Sequence, residues 1–187
     1  MTTRRSLLKT AALGGGTAGL GLIAWQIGGR TEWLSPSQAK ERGVPLRTLT
    51  ESEAATLEAF GEVLLPGSSA AGIAQFVDHH ISVPPPESLL TVRYLDVPPP
   101  YDGFYKGGLA ALDALAGESF VGLAPARAVE LVTTISRTVP PGWRGPPAPM
   151  FYFAVRSDAV DVVYGTSEGI ASLGVPTMEH LLPETKW

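Results

Sequence analysis

The side chains in this chain best suited to metal binding or proton transfer are three histidines, His79, His80 and His180. His79 and His80 are adjacent, so on a helix they point about 100° apart and cannot chelate one ion together. His80 joins Ile73, Phe76, Val77 and Ile81 at helical spacing, which predicts a packed, hydrogen-bonded imidazole. His79 falls beside Asp78 on the wetter side of the same helix, where solvent or a contact is expected. His180 is flanked by Glu179 and Glu184 near the C-terminus, a set too sparse to bind a metal ion strongly. A di-iron bundle requires Glu-x-x-His on two helices, so that both ligands project inward one turn apart. Phe76, Val77 and Thr177 stand three positions before the histidines, and that reading fails.

Nucleophile patterns are no stronger. No G-x-S-x-G elbow occurs, and Ser52, Ser69 and Ser157 follow helix logic without a nearby His–acid pair. The run "GGGTAG" (Gly14 to Gly19) has no strand before it and no Gly-Lys-Ser/Thr after it, so it is not a phosphate loop. Asp158 and Asp161 are three apart on the one polar strip of a greasy helix, the pattern of a solvated face. Aromatics carry more information. Trp143, Phe151, Tyr152, Phe153 and Tyr164 gather in the C-terminal half, and Trp187 is the last residue. They read either as ordinary core or as an anchor patch for another protein, since aromatic side chains dominate interface hot spots.

Those residues must be positioned by a small body. The 187 residues suit one domain with a single modest core. Arg4, Arg5, Lys9 and Arg30 lie in the first thirty residues, which contain no acid; the remainder carries ten bases against eighteen acids, or −8. Such a balance repels phosphate backbones and argues against nucleic-acid binding. With no cysteine there is no disulfide, no thiolate-held iron–sulfur cluster and no C-x-x-C-H haem attachment.

The N-terminus reads as an address. "TRRSLLK" resembles the twin-arginine export consensus, with Arg4, Arg5, Leu8 and Lys9 as its signature and Leu7 where phenylalanine is usual. The uncharged run Thr10–Gly29 that follows is rich in glycine and only mildly apolar. Twenty residues just span a bilayer core as a helix, so the segment is either a cleaved signal or a retained anchor. Residues 1–30 are thus signal or anchor, 31–48 a polar linker, and 49–187 the helical domain.

Within that domain Thr50 and Glu53 form a capping box for a helix that Pro66-Gly67 stops. A second helix is expected from a Ser69 cap through "GIAQFVDHHIS", and a third in "YDGFYKGGLAALDALA". Gly107 and Gly108 weaken the third but let a neighbouring backbone come close. "APARAVELVTTIS" starts with Pro125 in its first turn, and "PMFYFAVRSDAVDVVYG" is a helix with an unusually wide apolar surface. Such a helix is central in its own bundle or covered by something else. "ESLLTVRYLDV", bracketed by Pro84–Pro86 and Pro98–Pro100, fits a short helix or an extended segment. After Gly165 the chain is expected to be irregular, with one short turn beyond Thr177. Period-two alternation is nearly absent. The expected fold is all-α: a small irregular bundle of about five helices with long Pro/Gly-rich loops, preceded by an N-terminal signal or anchor helix.

The succession of "LTESEAATLEAFGEVLLPG", "GIAQFVDHHIS", "YKGGLAALDALA", "FYFAVRSDAVDVVYGTSEGIASLGVP" and "PTMEHLLPETKW" behind a twin-arginine start resembles the gluconate 2-dehydrogenase subunit 3 family. Many members carry "YGGN" and Gly-Tyr-Pro-Gly after the last helix, where this chain has "YGTS" and Leu173-Gly174-Val175-Pro176. The resemblance implies a non-catalytic small subunit with no catalytic, cofactor or metal residue of its own. It implies a GMC-type FAD-dependent dehydrogenase as partner, with FAD in that partner, and the twin-arginine translocase as carrier. Electrons would pass on to a cytochrome c or quinone-linked acceptor, and the complex would work in the periplasm or on the outer face of the cytoplasmic membrane. The residues alone leave a second reading open, a free-standing exported small enzyme or metal-dependent protein with an unrecognised site.

Overall fold

The computed structural model describes residues 21–117 and 119–174. Seven helices and one two-stranded sheet follow in the order β1 (Ile23–Ile27), β2 (Arg30–Leu34), α1 (Pro36–Glu41), α2 (Glu51–Leu64), α3 (Ile73–Ser82), α4 (Asp102–Ala116), α5 (Pro125–Arg137), α6 (Ala148–Tyr164) and α7 (Ser167–Ser172). Two 3-10 turns, Pro85–Glu87 and Thr91–Tyr94, lie between α3 and α4. Five of the helices are substantial, as the apolar spacing predicts.

The capping box of α2 forms as expected: Thr50 Oγ1 accepts from the Glu53 N–H, and the Glu53 carboxylate accepts from the Thr50 N–H at 2.8 Å. Pro125 occupies the first turn of α5. The greasy α6 proves to be the central element, packed against α2, α3, α4, α5, α7 and the Thr91–Tyr94 turn. Its Phe151, Ala154, Val155, Ala159 and Val162 are buried. The small side chains of Ala154 and Ala159 let neighbours approach from several sides. Phe151 fills the contact with α4. Its ring lies flat against Gly108 of α4, where any Cβ would collide with it, and it stacks on Phe60 of α2 at 5.5 Å with the planes 3° apart. Gly108 therefore makes room for an aromatic ring from α6, while Gly107 does admit a neighbouring backbone: a Cβ added at Gly145 would come within 2.8 Å of the Gly107 carbonyl oxygen.

The all-α expectation holds for the described residues, and four details differ. First, a small sheet precedes the bundle: "IAWQIGGRTEWL" folds as an antiparallel hairpin pairing Ile23 with Leu34 and Ile27 with Arg30. Gly28 and Gly29, both at positive φ, make its two-residue turn. The hairpin takes the end of the supposed signal or anchor helix and the start of the supposed linker. The rest of that helix, with Arg4, Arg5, Leu8 and Lys9, lies outside the described residues. Second, the segment 31–48, expected as a polar linker, holds structure of its own. Beyond β2 it holds α1, capped by a box between Ser35 and Gln38, and Lys40 Nζ reaches Glu58 of α2 at 2.7 Å. Third, α3 starts at Ile73, after Gly72, because Ser69 is occupied elsewhere: its Oγ meets Lys40 Nζ and Glu58. Fourth, α7 follows Gly165, with Thr166 as its cap. The turn expected beyond Thr177 lies outside the described residues, and no helix among the described residues is long and apolar enough to cross a membrane.

The long loops are held by aspartates. Asp78 of α3 is buried and accepts the N–H groups of Arg47, Thr48 and Leu49, each at 2.8 Å. Asp113 of α4 accepts from Phe120 N–H and Thr56 Oγ1. Asp158 of α6 accepts from Thr91 N–H at 2.9 Å and from the Tyr105 hydroxyl at 2.5 Å. Each carboxylate satisfies loop groups that burial would otherwise leave unpaired.

Candidate partner interface

The aromatic cluster divides between core and surface. Trp143 and Phe151 are buried, their rings 6.0 Å apart, and Phe151 also meets Phe104 at 6.1 Å. They belong to the core reading and offer nothing to a partner. Tyr152 and Tyr164 are half-buried. Phe153 is 46% exposed and shares the outer face of α6 with Val160, 40% exposed, one heptad on, with the exposed Arg156 between them. Trp187 lies outside the described residues.

Sequence reasoning missed a second exposed apolar group. Leu89 is 50% and Tyr94 73% exposed, on the segment between the two proline triplets. They rim a cleft of about 340 Å³ lined also by Phe76, Pro36, Asp161 and Val162. The signal in the sequence was a run of large apolar residues inside a stretch that prolines keep from becoming a long helix. Such residues cannot all be buried by one four-residue turn.

The geometry of that segment is imposed from beneath. Val92 is fully buried, and the Asp158 carboxylate holds the Thr91 N–H. Arg93 donates to the Ser88 carbonyl at 3.1 Å, and its guanidinium lies 5.7 Å from the Tyr94 ring centre. His80 Nδ1 accepts from the Leu89 N–H at 3.4 Å, with its ring edge-on to Phe76 at 4.6 Å. His80 is thus the packed, hydrogen-bonded imidazole its position predicts. His79 is drier than expected, its ring 5.2 Å from that of Trp25 in β1.

Burial sets the charge states. Desolvation lowers His80 to about 3, helped by His79, and lowers His79 to about 4, with Arg47 adding to the effect and Asp78 opposing it. Both imidazoles are neutral at neutral pH. Asp158 corrects the solvated-face expectation outright, because it is fully buried. Desolvation pushes its carboxyl up to about 7, the hydrogen bonds from Tyr105 and Thr91 pull it down in part, and the nearby Asp161 charge raises it. Among the described residues no three His, Asp or Glu side chains come together to hold a metal ion.

Two exposed apolar groups result: Leu89 and Tyr94 on the pinned segment before α4, and Phe153 with Val160 on the outer face of the central helix. A rigid aromatic on a fixed backbone loses little freedom on binding, which suits a protein contact.

The family model for gluconate 2-dehydrogenase subunit 3 matches residues 51–175, more than half of the chain. The chain belongs to the gluconate 2-dehydrogenase subunit 3 family. No curated protein and no solved structure matches it. Within this subunit 3 chain, the matched span begins at the first residue of α2 and takes in every later helix among the described residues, together with Leu89, Tyr94, Phe153 and Val160. The hairpin and α1 precede it. A subunit 3 is one part of a dehydrogenase complex, so a dehydrogenase is its partner.

Proposed function

We propose that this chain is the non-catalytic small subunit that binds, stabilises and escorts a GMC-type flavin dehydrogenase through twin-arginine export. Membership of the subunit 3 family carries the reading. Arg4 and Arg5 support the export half of it, since that route takes proteins already folded around a cofactor. The exposed Leu89, Tyr94, Phe153 and Val160 support the binding half. In this reading FAD and the oxidised substrate belong to the partner. Electrons leave the partner for a cytochrome c or quinone-linked acceptor without passing through this chain, and the complex works in the periplasm or at the outer face of the membrane.

Coexpression tests both halves. With this chain present, the flavoprotein is expected in the exported fraction with FAD bound. Equal export, folding and activity without this chain would sink the proposal. The contact is tested by Tyr94→Glu and Phe153→Glu, both at exposed positions. Each is expected to leave the helical circular dichroism unchanged and to weaken copurification about tenfold or more, the scale of an interface hot spot.

A further inference from the structure

The hairpin β1–β2 sits where the export segment should end. Its inward positions alternate as a half-buried strand requires: Ile23 and Trp25 on β1 and Leu34 at the end of β2 are buried. Trp25 is 1% exposed, its indole N–H donates to the Leu34 carbonyl at 3.2 Å, and its ring rests against His79 of α3. Below it, Arg42 at the end of α1 pairs with Glu32 of β2. Strand, turn, strand and helix form one strap across α3, tied down again where Lys40 meets Glu58 and Ser69. Trp25 is among the largest fully buried side chains of the described residues.

We propose that the folded body of this protein starts inside its export segment, at Ile23, so that a docked hairpin and a membrane-spanning N-terminus exclude each other. Length is the reason. With the hairpin docked, the uncharged run shortens from the twenty residues of Thr10–Gly29 to the thirteen of Thr10–Leu22. As a helix thirteen residues reach about 20 Å, against a hydrocarbon core of about 30 Å. A spanning helix must therefore draw Ile23–Ile27 out of the body, stripping Trp25 from His79 and unpairing β2. The docked form is the mature one. A signal-type cut after Gly29 would delete β1 and uncover the same surface, whereas the small-x-small run Gly19-Leu20-Gly21 permits a cut that leaves both strands whole.

The geometry stands by itself; the statement about processing rests on the export reading proposed above. The test uses the full chain, expressed with its partner and recovered from the exported fraction. Intact mass is expected to place the N-terminus at or before Ile23, and alkaline carbonate is expected to release the chain from membranes. An N-terminus beyond Ile23, or a chain that carbonate cannot extract, overturns the proposal. Hydrogen exchange on the same material is expected to slow the paired amides of Ile23–Ile27 about a hundredfold or more relative to an unfolded peptide; free exchange there overturns it as well. Should no exported material form, the export reading is the one that has failed. Exchange on the cytoplasmic chain then still decides whether the hairpin is docked.

Discussion

Asp158 accepts the Thr91 N–H and the Tyr105 hydroxyl with no exposure to water, and it is the residue whose charge state matters most to the fold. Its carboxyl titrates near 7 in the folded chain against the usual 3.8, so folding strengthens its hold on a proton. The stability it contributes is fully present below about pH 4 and is lost as pH rises towards 7. His79 and His80 act in the opposite sense. Lowered to about 4 and about 3, they contribute stability above pH 6.5 that is lost on acidification. Urea unfolding of Asp158→Asn across pH 4 to 7 should therefore lose the descending trend, leaving the histidine-driven rise with pH exposed. An unchanged pH profile would show that Asp158 is ionised throughout. Asp78 offers a simpler test. Asp78→Ala leaves three N–H groups of residues 47–49 without their acceptor. A loss of about 3 kcal/mol in unfolding free energy is expected, since buried bonds to a charged acceptor contribute about 1.5–3 kcal/mol each and water repairs some of them.

At the scale of elements, α4 separates two roles of glycine. A Cβ added at Gly103 would point into open space, whereas one added at Gly108 would strike the Phe151 ring. Gly103→Ala should stabilise by up to about 1 kcal/mol through helix propensity. Gly108→Ala should destabilise by about 2 kcal/mol, because the collision outweighs that gain; guanidinium unfolding of the pair measures both. The helices themselves are largely legible in the sequence. Thr50 with Glu53, Pro125, and the apolar spacing of α4 and α6 each carry a local cause for a local structure. What is not legible comes from elements far apart. Helical periodicity places Asp158 on the polar strip of α6, but it cannot show that Thr91 and Tyr105, 67 and 53 residues away, close over that strip. Phe151 is hidden for the same reason, by rings from α2 and α4, and Trp143 is packed against Phe151 in turn. The hairpin is different. Gly28-Gly29 between alternating apolar residues is a hairpin signal, yet the same uncharged residues read equally well as the tail of an export segment. Composition over twenty residues masks alternation over five.

For the whole molecule, the decisive quantity is where activity is found. Changing Arg4 and Arg5 to Lys keeps both charges and removes only the paired guanidinium address. Cell fractionation should then find the partner's dehydrogenase activity in the cytoplasm, undiminished in total. Normal activity outside the cytoplasm would refute the twin-arginine assignment while leaving membership of the subunit 3 family untouched. The acidic body, at −8 beyond residue 30, also predicts that partner binding responds to salt only as far as charged rims contribute. Copurification through Leu89, Tyr94 and Phe153 should therefore survive about 0.5 M salt.

The aspartates that pin the loops bond mainly to backbone N–H groups. Every residue except proline supplies the same N–H, so the path of each pinned loop is independent of the side chains it displays. The segment that carries Leu89 and Tyr94 can change its surface chemistry wholesale while Asp158 keeps it in place. A subunit built in this way separates shape from recognition: a new partner asks only for new side chains on an old track.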